Sequence, residues 1–174
     1  MIPLRPGAAA TIVLGLGNPV RYDDAAGLRT AEAVARLLYD EPVPNVVVVT
    51  SSRAGLELVD LLAGMSRAVI IDCLAPAHPV PGRVRRLTLD DVAGAARLIG
   101  AHDVSLSDAF AFASVAGVPM PGTVDIYAVE AADIDRVEEG LSPFVAAAVP
   151  VLAREIHRQL MEERVGTGGR STRG

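Results

Sequence analysis

Cysteine is almost missing: Cys73 is the only one in the chain. An internal disulfide and a cysteine-rich zinc cluster are both excluded. Such sparing use of thiols fits a reducing compartment. Tryptophan is absent and aromatic residues make up only 3% of the chain, so a core must be built from Ala, Val and Leu. No basic excess exists either. The net charge is −5 and the isoelectric point about 5.2, which removes the positive face that nucleic acid binding wants. The longest apolar run, Phe144–Ala153, contains Pro150 and falls short of the roughly 20 residues of a membrane span. The opening MIPLRPGAAA has no apolar centre of signal-peptide length. A cytoplasmic monomer with no nucleic-acid or membrane partner is the expectation.

What is present is ample apolar mass. Apolar residues form 51% of 174 positions, enough for one domain with a substantial core. A strand is read at Thr11–Gly17 and a helix at Asp24–Tyr39, ended by Pro42 and Pro44. Asn45–Thr50 is β-branched without alternation, as a strand covered on both faces reads. Ser51–Arg53 is a loop and Gly55–Ala63 a short helix. Arg67–Cys73 is a third buried strand carrying Asp72 at its end. A Pro-rich loop with His78 follows, Leu74–Gly82. Arg83–Leu89 alternates Arg with apolar residues, the pattern of an edge strand with one wet face. Asp90–Leu98 reads as a helix capped by Asp90. Gly100–Ser105 is a loop holding His102, Leu106–Ala116 a helix and Thr123–Glu130 the last strand. Ser142–Glu163 is a long terminal helix with Ser142 as N-cap and Pro143 in the first helical position. Pro150 is expected to kink it or unwind its first turns. Residues 1–165 are read as one domain and 166–174 as a disordered tail. Alternating strands and helices predict an α/β fold. It is a three-layer α/β/α sandwich on a mostly parallel, twisted five-stranded sheet with one antiparallel edge strand.

Gly15–Gly27, GLGNPVRYDDAAG, joins the first strand to the first helix. In such sheets ligands bind at the carboxyl ends of the strands. A dinucleotide-binding turn needs G-x-G-x-x-G. Gly15 and Gly17 fit, but Val20 takes the third place, Pro19 removes a donor, and the second strand ends in Thr50 rather than an acid. Asp23 and Asp24 each have a simpler reading as a helix cap, Asp72 as a turn residue, and His102 and His157 as surface residues. Asn18 is expected to hold the turn through a side-chain–backbone bond. Arg83, Arg85 and Arg86 are expected to form a solvated edge. Glu57 and Glu130 receive no role beyond their position.

Gly15-Leu16-Gly17-Asn18-Pro19 with Tyr22 resembles the opening of the peptidyl-tRNA hydrolases. Asp24, Ala25 and Ala26 stand where that family continues with its catalytic His and an Asn. Gly15-x-Gly17-Asn18 with Asp23-Asp24 and Gly27 resembles the hydrogenase maturation proteases more fully. Further matching motifs come in the same order. They are Arg53-Ala54-Gly55-Leu56-Glu57-Leu58, Val69-Ile70-Ile71-Asp72, Pro81-Gly82, His102 ahead of Leu106-Ser107-Asp108, and Glu139-Gly140-Leu141-Ser142-Pro143. Two departures stand out. Thr50-Ser51-Ser52-Arg53 replaces an acidic-Gly-Gly-Thr run, and Asp24 stands where Glu is frequent.

The resemblance implies a phosphorylase/hydrolase-like sandwich and an endopeptidase classed as aspartic-type. Its partner would be the precursor of a nickel–iron hydrogenase large subunit, whose C-terminal extension it would remove after nickel insertion. It assigns metal binding and catalysis jointly to Asp24, Asp72 and His102, with nickel carried by the substrate and only weakly held by the protein. Ser51, Ser52 and Arg53 would form the substrate loop, and Gly15, Gly17, Asn18 and Gly27 the turn. Two carboxylates and an imidazole suit a divalent transition metal and leave positions open. A non-catalytic metal- or hydrogenase-binding protein built on the same residues is the alternative from another class, and a peptidyl-tRNA hydrolase relative the alternative among enzymes.

Overall fold

The structure, a computed structural model, describes residues 10–53, 55–93 and 106–168. Five strands make one sheet: β1 (Thr11–Leu16), β2 (Val46–Ser51), β3 (Arg67–Leu74), β4 (Val84–Leu87) and β5 (Thr123–Glu130). Their order is β2-β1-β3-β5-β4. β1 pairs in parallel with β2 and β3, and β3 with β5; β4 runs antiparallel on β5. The expected sandwich with one antiparallel border is the observed one.

Alternation along the strands divides the core into two layers. Val13, Val69, Ile71, Tyr127 and Val129 face the layer of α1 (Ala26–Asp40) and α5 (Pro143–Gly168). Ile12, Leu14, Ala68, Ile70 and Ile126 face the layer of α2 (Glu57–Leu62), α3 (Leu89–Ala93) and α4 (Leu106–Ala116). β1 and β3 are covered on both sides and almost wholly buried, which is why they read as unbroken apolar runs. At the far edge Arg67 binds Asp125 at 2.6 Å and also Glu163, tying α5 to the sheet.

Several boundaries differ from expectation. A single 3-10 turn, Tyr22–Ala25, precedes α1, so neither Asp23 nor Asp24 lies within or caps that helix. α3 is capped by Thr88, not Asp90. The Asp91 N–H donates to Thr88 Oγ1 at 3.2 Å, and the Thr88 N–H returns to Asp91 Oδ2 at 2.8 Å, a reciprocal capping box. Residues 94–105 of that region, His102 among them, lie outside the described residues. Ser142 precedes α5 and its carbonyl accepts from Ala146 N–H at 2.8 Å, but its hydroxyl is used elsewhere. α5 continues unbroken through Pro150. Pro150 and Ala146 are both exposed, so water can serve the Ala146 carbonyl that proline leaves without its donor. The helix runs on to Gly168, into the stretch expected to be disordered; residues 169–174 lie outside the described residues. His157 is buried rather than exposed, and its Nε2 hydrogen-bonds the Glu41 carbonyl at 3.1 Å, at the end of α1.

Candidate active site

The carboxyl rim of the sheet is assembled by close backbone contact. A Cβ on Gly27 would overlap the carbonyl oxygens of Leu16 and Ile71. Glycine at this point lets the start of α1 sit across the ends of β1 and β3. Gly17 has φ +141°, in the region that favours glycine, and a Cβ there would overlap the Asp24 carbonyl. Asn18 holds the intervening turn as expected: its Oδ1 accepts from Val20 N–H at 3.1 Å, and its carbonyl from Arg21 N–H at 3.1 Å. Strand, turn and helix are therefore pressed together, and Asp23 and Asp24 are delivered to the end of β3.

Three acids are buried at this rim, and their surroundings differ. Asp23 is 0% exposed. Its Oδ2 accepts from the N–H groups of Ala132 and Asp133 at 2.8 and 3.1 Å and from the Ser142 hydroxyl at 2.9 Å. Its Oδ1 accepts from Ser142 N–H at 2.6 Å. It clamps the loop after β5 to the loop after β1. Glu130 is also 0% exposed. It accepts from Val80 N–H and Arg83 Nε, both at 2.6 Å, and from Arg85 Nε at 2.5 Å. Burial opposes its charge, but Arg83, the Val80 amide and Arg85 outweigh burial and hold the carboxyl down at about 2. Arg83 and Arg85 are therefore engaged with this carboxylate rather than freely solvated. Arg86 pairs with Asp125 and stacks over Tyr127, 5.8 Å from its ring centre.

Asp72 is the exception. It is 3% exposed, and the Cys73 N–H donates to its Oδ1 at 2.7 Å. Burial raises its carboxyl to about 8; that one amide bond opposes the shift and the charge of Asp24 adds to it. Asp24, half-buried, is thus close enough to feel Asp72 electrostatically. By strand parity Asp72 shares the face of Ala68 and Ile70, the α2–α4 side. Cys73 takes the opposite parity, is buried, and has its thiol pushed far up by burial and by Asp72, Asp24 and Asp23, which makes it inert as a nucleophile.

Asp24 and Asp72 are therefore brought together, while His102 lies outside the described residues. Among the described residues, no group of three or more His, Cys, Asp or Glu could hold a metal ion. The donor chemistry of the pair nonetheless fits a cation: burial and the charge of Asp24 both oppose ionisation of Asp72, and an arriving positive charge would offset them. Ser51, Ser52 and Arg53 lie at the same rim beyond β2, where Ser51 Oγ accepts from Arg53 N–H at 3.0 Å and Ser52 and Arg53 are exposed. Glu57 is exposed at the start of α2 and His78 in the loop after β3. A hollow of about 200 Å³ opens between the loops after β3 and β5, lined by Ala75, Pro76, Ala132 and Asp133 among others. A larger one of about 460 Å³ lies between α1 and α5; neither Asp24 nor Asp72 lines either hollow, and it is the strand-end position of the two acids that assigns the chemistry to the rim.

Asp23 and Glu130 are the residues that sequence reasoning missed. Their donors lie 45 to 119 positions away, so no local spacing announces them. Among the described residues, no helix is long and apolar enough to cross a membrane.

The family model for hydrogenase maturation proteases matches residues 28–159. A hydrogenase expression/formation protein, HupD, of Thiocapsa roseopersicina is 26% identical over 156 residues, covering 82% of this chain and 67% of that protein. The hydrogenase 2 maturation protease of Escherichia coli is 25% identical over 156 residues, covering 88% and 92%. Among solved structures, the hydrogenase maturating endopeptidase HybD from E. coli superposes with a TM-score of 0.74 at 25% identity, covering 88% of this chain and 93% of that one.

Proposed function

Because the chain belongs to the hydrogenase maturation protease family, we propose that it is an endopeptidase that removes the C-terminal extension of a nickel–iron hydrogenase large-subunit precursor once nickel is in place. The observation that carries this reading is the contrast among the three rim acids. Asp23 and Glu130 have their charge fully served by donors. Asp72 has one amide and a neighbouring acid. A buried, charge-frustrated carboxyl at a strand end is how catalytic acids are set apart from structural ones.

Nickel enters here as part of the substrate. A precursor without it leaves Asp72 protonated beside the charge of Asp24; a loaded precursor brings the positive charge that lets Asp72 ionise. Asp24, Asp72 and His102 are the proposed contacts to that ion. Imidazole and carboxylate donors suit a divalent transition metal. Ionised Asp72 is then the proposed general base. It takes a proton from a water molecule attacking the scissile carbonyl, and the proton passes on to the leaving amine. The aspartic-type classification follows from this role, with no serine or cysteine nucleophile. Ser51, Ser52 and Arg53 are the proposed substrate loop, and cytoplasm the proposed location.

The test mixes the protein with nickel-loaded and nickel-free precursor and follows precursor mass. Loss of the C-terminal extension from the loaded form alone is expected, with Asp24→Asn and Asp72→Asn inactive. Full-length precursor persisting with the wild-type protein overturns the reading. Stable binding without product would assign the site to a non-catalytic maturation protein.

A further inference from the structure

The two borders of the sheet are built differently. Beside β4, Arg83, Arg85 and Arg86 are held by Glu130 and Asp125, and charges on an edge strand discourage pairing with another chain. β2, at the other border, reads VVVVTS, with neither charge nor proline. Val46 to Val49 are all half-buried, whereas the neighbouring β1 is buried from Ile12 onward. Val46 and Val48 belong to the α1–α5 layer and Val47 and Val49 to the α2–α4 layer, so this border is apolar on both faces.

The hydrogen-bond phase of β2 follows from one contact. Thr11 N–H donates to the Asn45 carbonyl at 2.9 Å. In a parallel ladder, alternate residues turn both backbone groups to the same neighbour. Val47, Val49 and Ser51 therefore face β1, and Val46, Val48 and Thr50 turn their N–H and C=O groups outward. Among the described residues no strand pairs with that outward row.

We propose that the outward edge of β2 docks an extended, apolar-rich peptide segment as a sixth strand, this segment being the part of the precursor next to the bond that is cut. The identity of the peptide rests on the endopeptidase reading above; the edge itself does not. Geometry favours a substrate strand. The row ends at Ser51–Arg53, on the same rim as Asp24 and Asp72. With strands about 4.8 Å apart, an added strand lies about 10 Å from β1 and about 14 Å from β3. Four or five extended residues at about 3.3 Å each cover that span. Backbone pairing would supply affinity with little dependence on sequence, and the two apolar faces would favour apolar side chains at alternating positions.

Val48→Pro deletes one outward N–H and leaves the ladder to β1 whole. Thr50→Lys places at an exposed position the kind of charge that guards the other border. Cleavage of loaded precursor should show KM raised about tenfold, the worth of one backbone hydrogen bond, with kcat within about twofold. NMR amide exchange at Val46, Val48 and Thr50 should slow when a synthetic peptide spanning the precursor's cut site is added. If Val48→Pro does not fold, Thr50→Lys carries the test alone. An unchanged KM in a folded variant, with no amide protection, overturns the docking strip and leaves the endopeptidase reading intact. Amide protection without cleavage by any form supports the strip and overturns the endopeptidase reading. A concentration-dependent dimer dissolved by Thr50→Lys, with no protection by the peptide, assigns the edge to a second copy and overturns the proposal.

Discussion

Replacing Asp23 by Ala should be among the most damaging single changes available in this chain. Its carboxylate takes three backbone N–H groups and one hydroxyl, all between 2.6 and 3.1 Å, in a position with no solvent exposure. A hydrogen bond to a charged group contributes about 1.5–3 kcal/mol, and a buried donor left unserved costs about 1–3 kcal/mol. The four contacts share one acceptor and do not add. The loop of residues 131–142 can also open and let water reach its amides, so a net loss of about 3–5 kcal/mol is expected. That is a large share of the roughly 5–15 kcal/mol a domain has. Urea unfolding followed by circular dichroism measures it, provided the slope against urea stays that of the wild type. Asp23→Asn keeps one accepting oxygen but turns an N–H₂ toward donors that need an acceptor. It should cost less than Ala, about 2–3 kcal/mol by the same reasoning. Ser142→Ala removes only the hydroxyl donor and should cost about 1 kcal/mol. A loss below about 1 kcal/mol for Asp23→Ala would refute the clamp. So would an Asn variant less stable than the Ala variant.

Asp72 makes stability depend on pH in an unusual direction. Its carboxyl is raised from 3.8 to about 8, so between those values the native chain keeps a proton that the unfolded chain has released. Stability therefore falls as pH rises from about 4 to about 8 and levels off above. At about 1.4 kcal/mol per pKa unit the ceiling is roughly 5–6 kcal/mol. Relaxation around the buried charge should bring the observed loss to about 2–4 kcal/mol, and Asp72→Asn should remove most of that slope in unfolding curves taken at pH 5 and 9. Glu130 acts with the opposite sign. Held at about 2, it stabilises above pH 4.5 and the benefit is lost as pH falls toward 2. Glu130→Gln should cost about 2 kcal/mol at pH 7, a figure reduced because Arg83 and Arg85 are more than 40% exposed, and almost nothing near pH 2; thermal melts at the two pH values decide it. Gly27→Ala should lower stability by more than about 3 kcal/mol or prevent soluble expression, because backbone on two strands must move. A soluble Gly27→Ala variant melting within about 2 °C of wild type would contradict the close packing at the rim.

Sequence reading succeeded where structure is local and failed where a contact spans the chain. β1, β3 and β5 announce themselves as apolar runs, and the Gly15–Gly27 turn as glycine placed where backbone meets backbone. The Thr88–Asp91 capping box is legible in Thr-x-x-Asp, although Asp90 offers a competing cap. His157 was legible too. It falls four residues after buried Ala153 and three before buried Leu160, which places it on the stripe that faces α1. Glu130 was not legible, because its role depends on a turn that brings Arg83 and Arg85 back beside the end of β5. Asp23 was harder still. Two adjacent acids at the start of a turn look interchangeable until the chain after β5 folds back onto one of them.

That last ambiguity has a physical resolution that explains the rim. Backbone amides crowd the end of a parallel sheet, and a carboxylate placed there is captured by whichever amides reach it. Asp23 is captured by the loop after β5 and Glu130 by the loop after β3. Those two captures fix both loops on either side of Asp72, and among the described residues the N–H aimed at it is that of Cys73. Among the described residues the two structural acids thereby hold the loop amides away from the third: loops locked in place by their own clamps cannot relax to solvate Asp72. The proton on Asp72 is then set by what arrives from outside the chain, which is the property a site must have if it is to respond to a cation carried by its substrate. Loosening either clamp should accordingly lower the Asp72 carboxyl toward its ordinary range. NMR titration of that carboxyl in Ser142→Ala, which weakens the Asp23 clamp without removing it, would show the shift. An Asp72 that still titrates at about 8 in that variant, while amide exchange in residues 131–142 has quickened, would separate the two and break the argument.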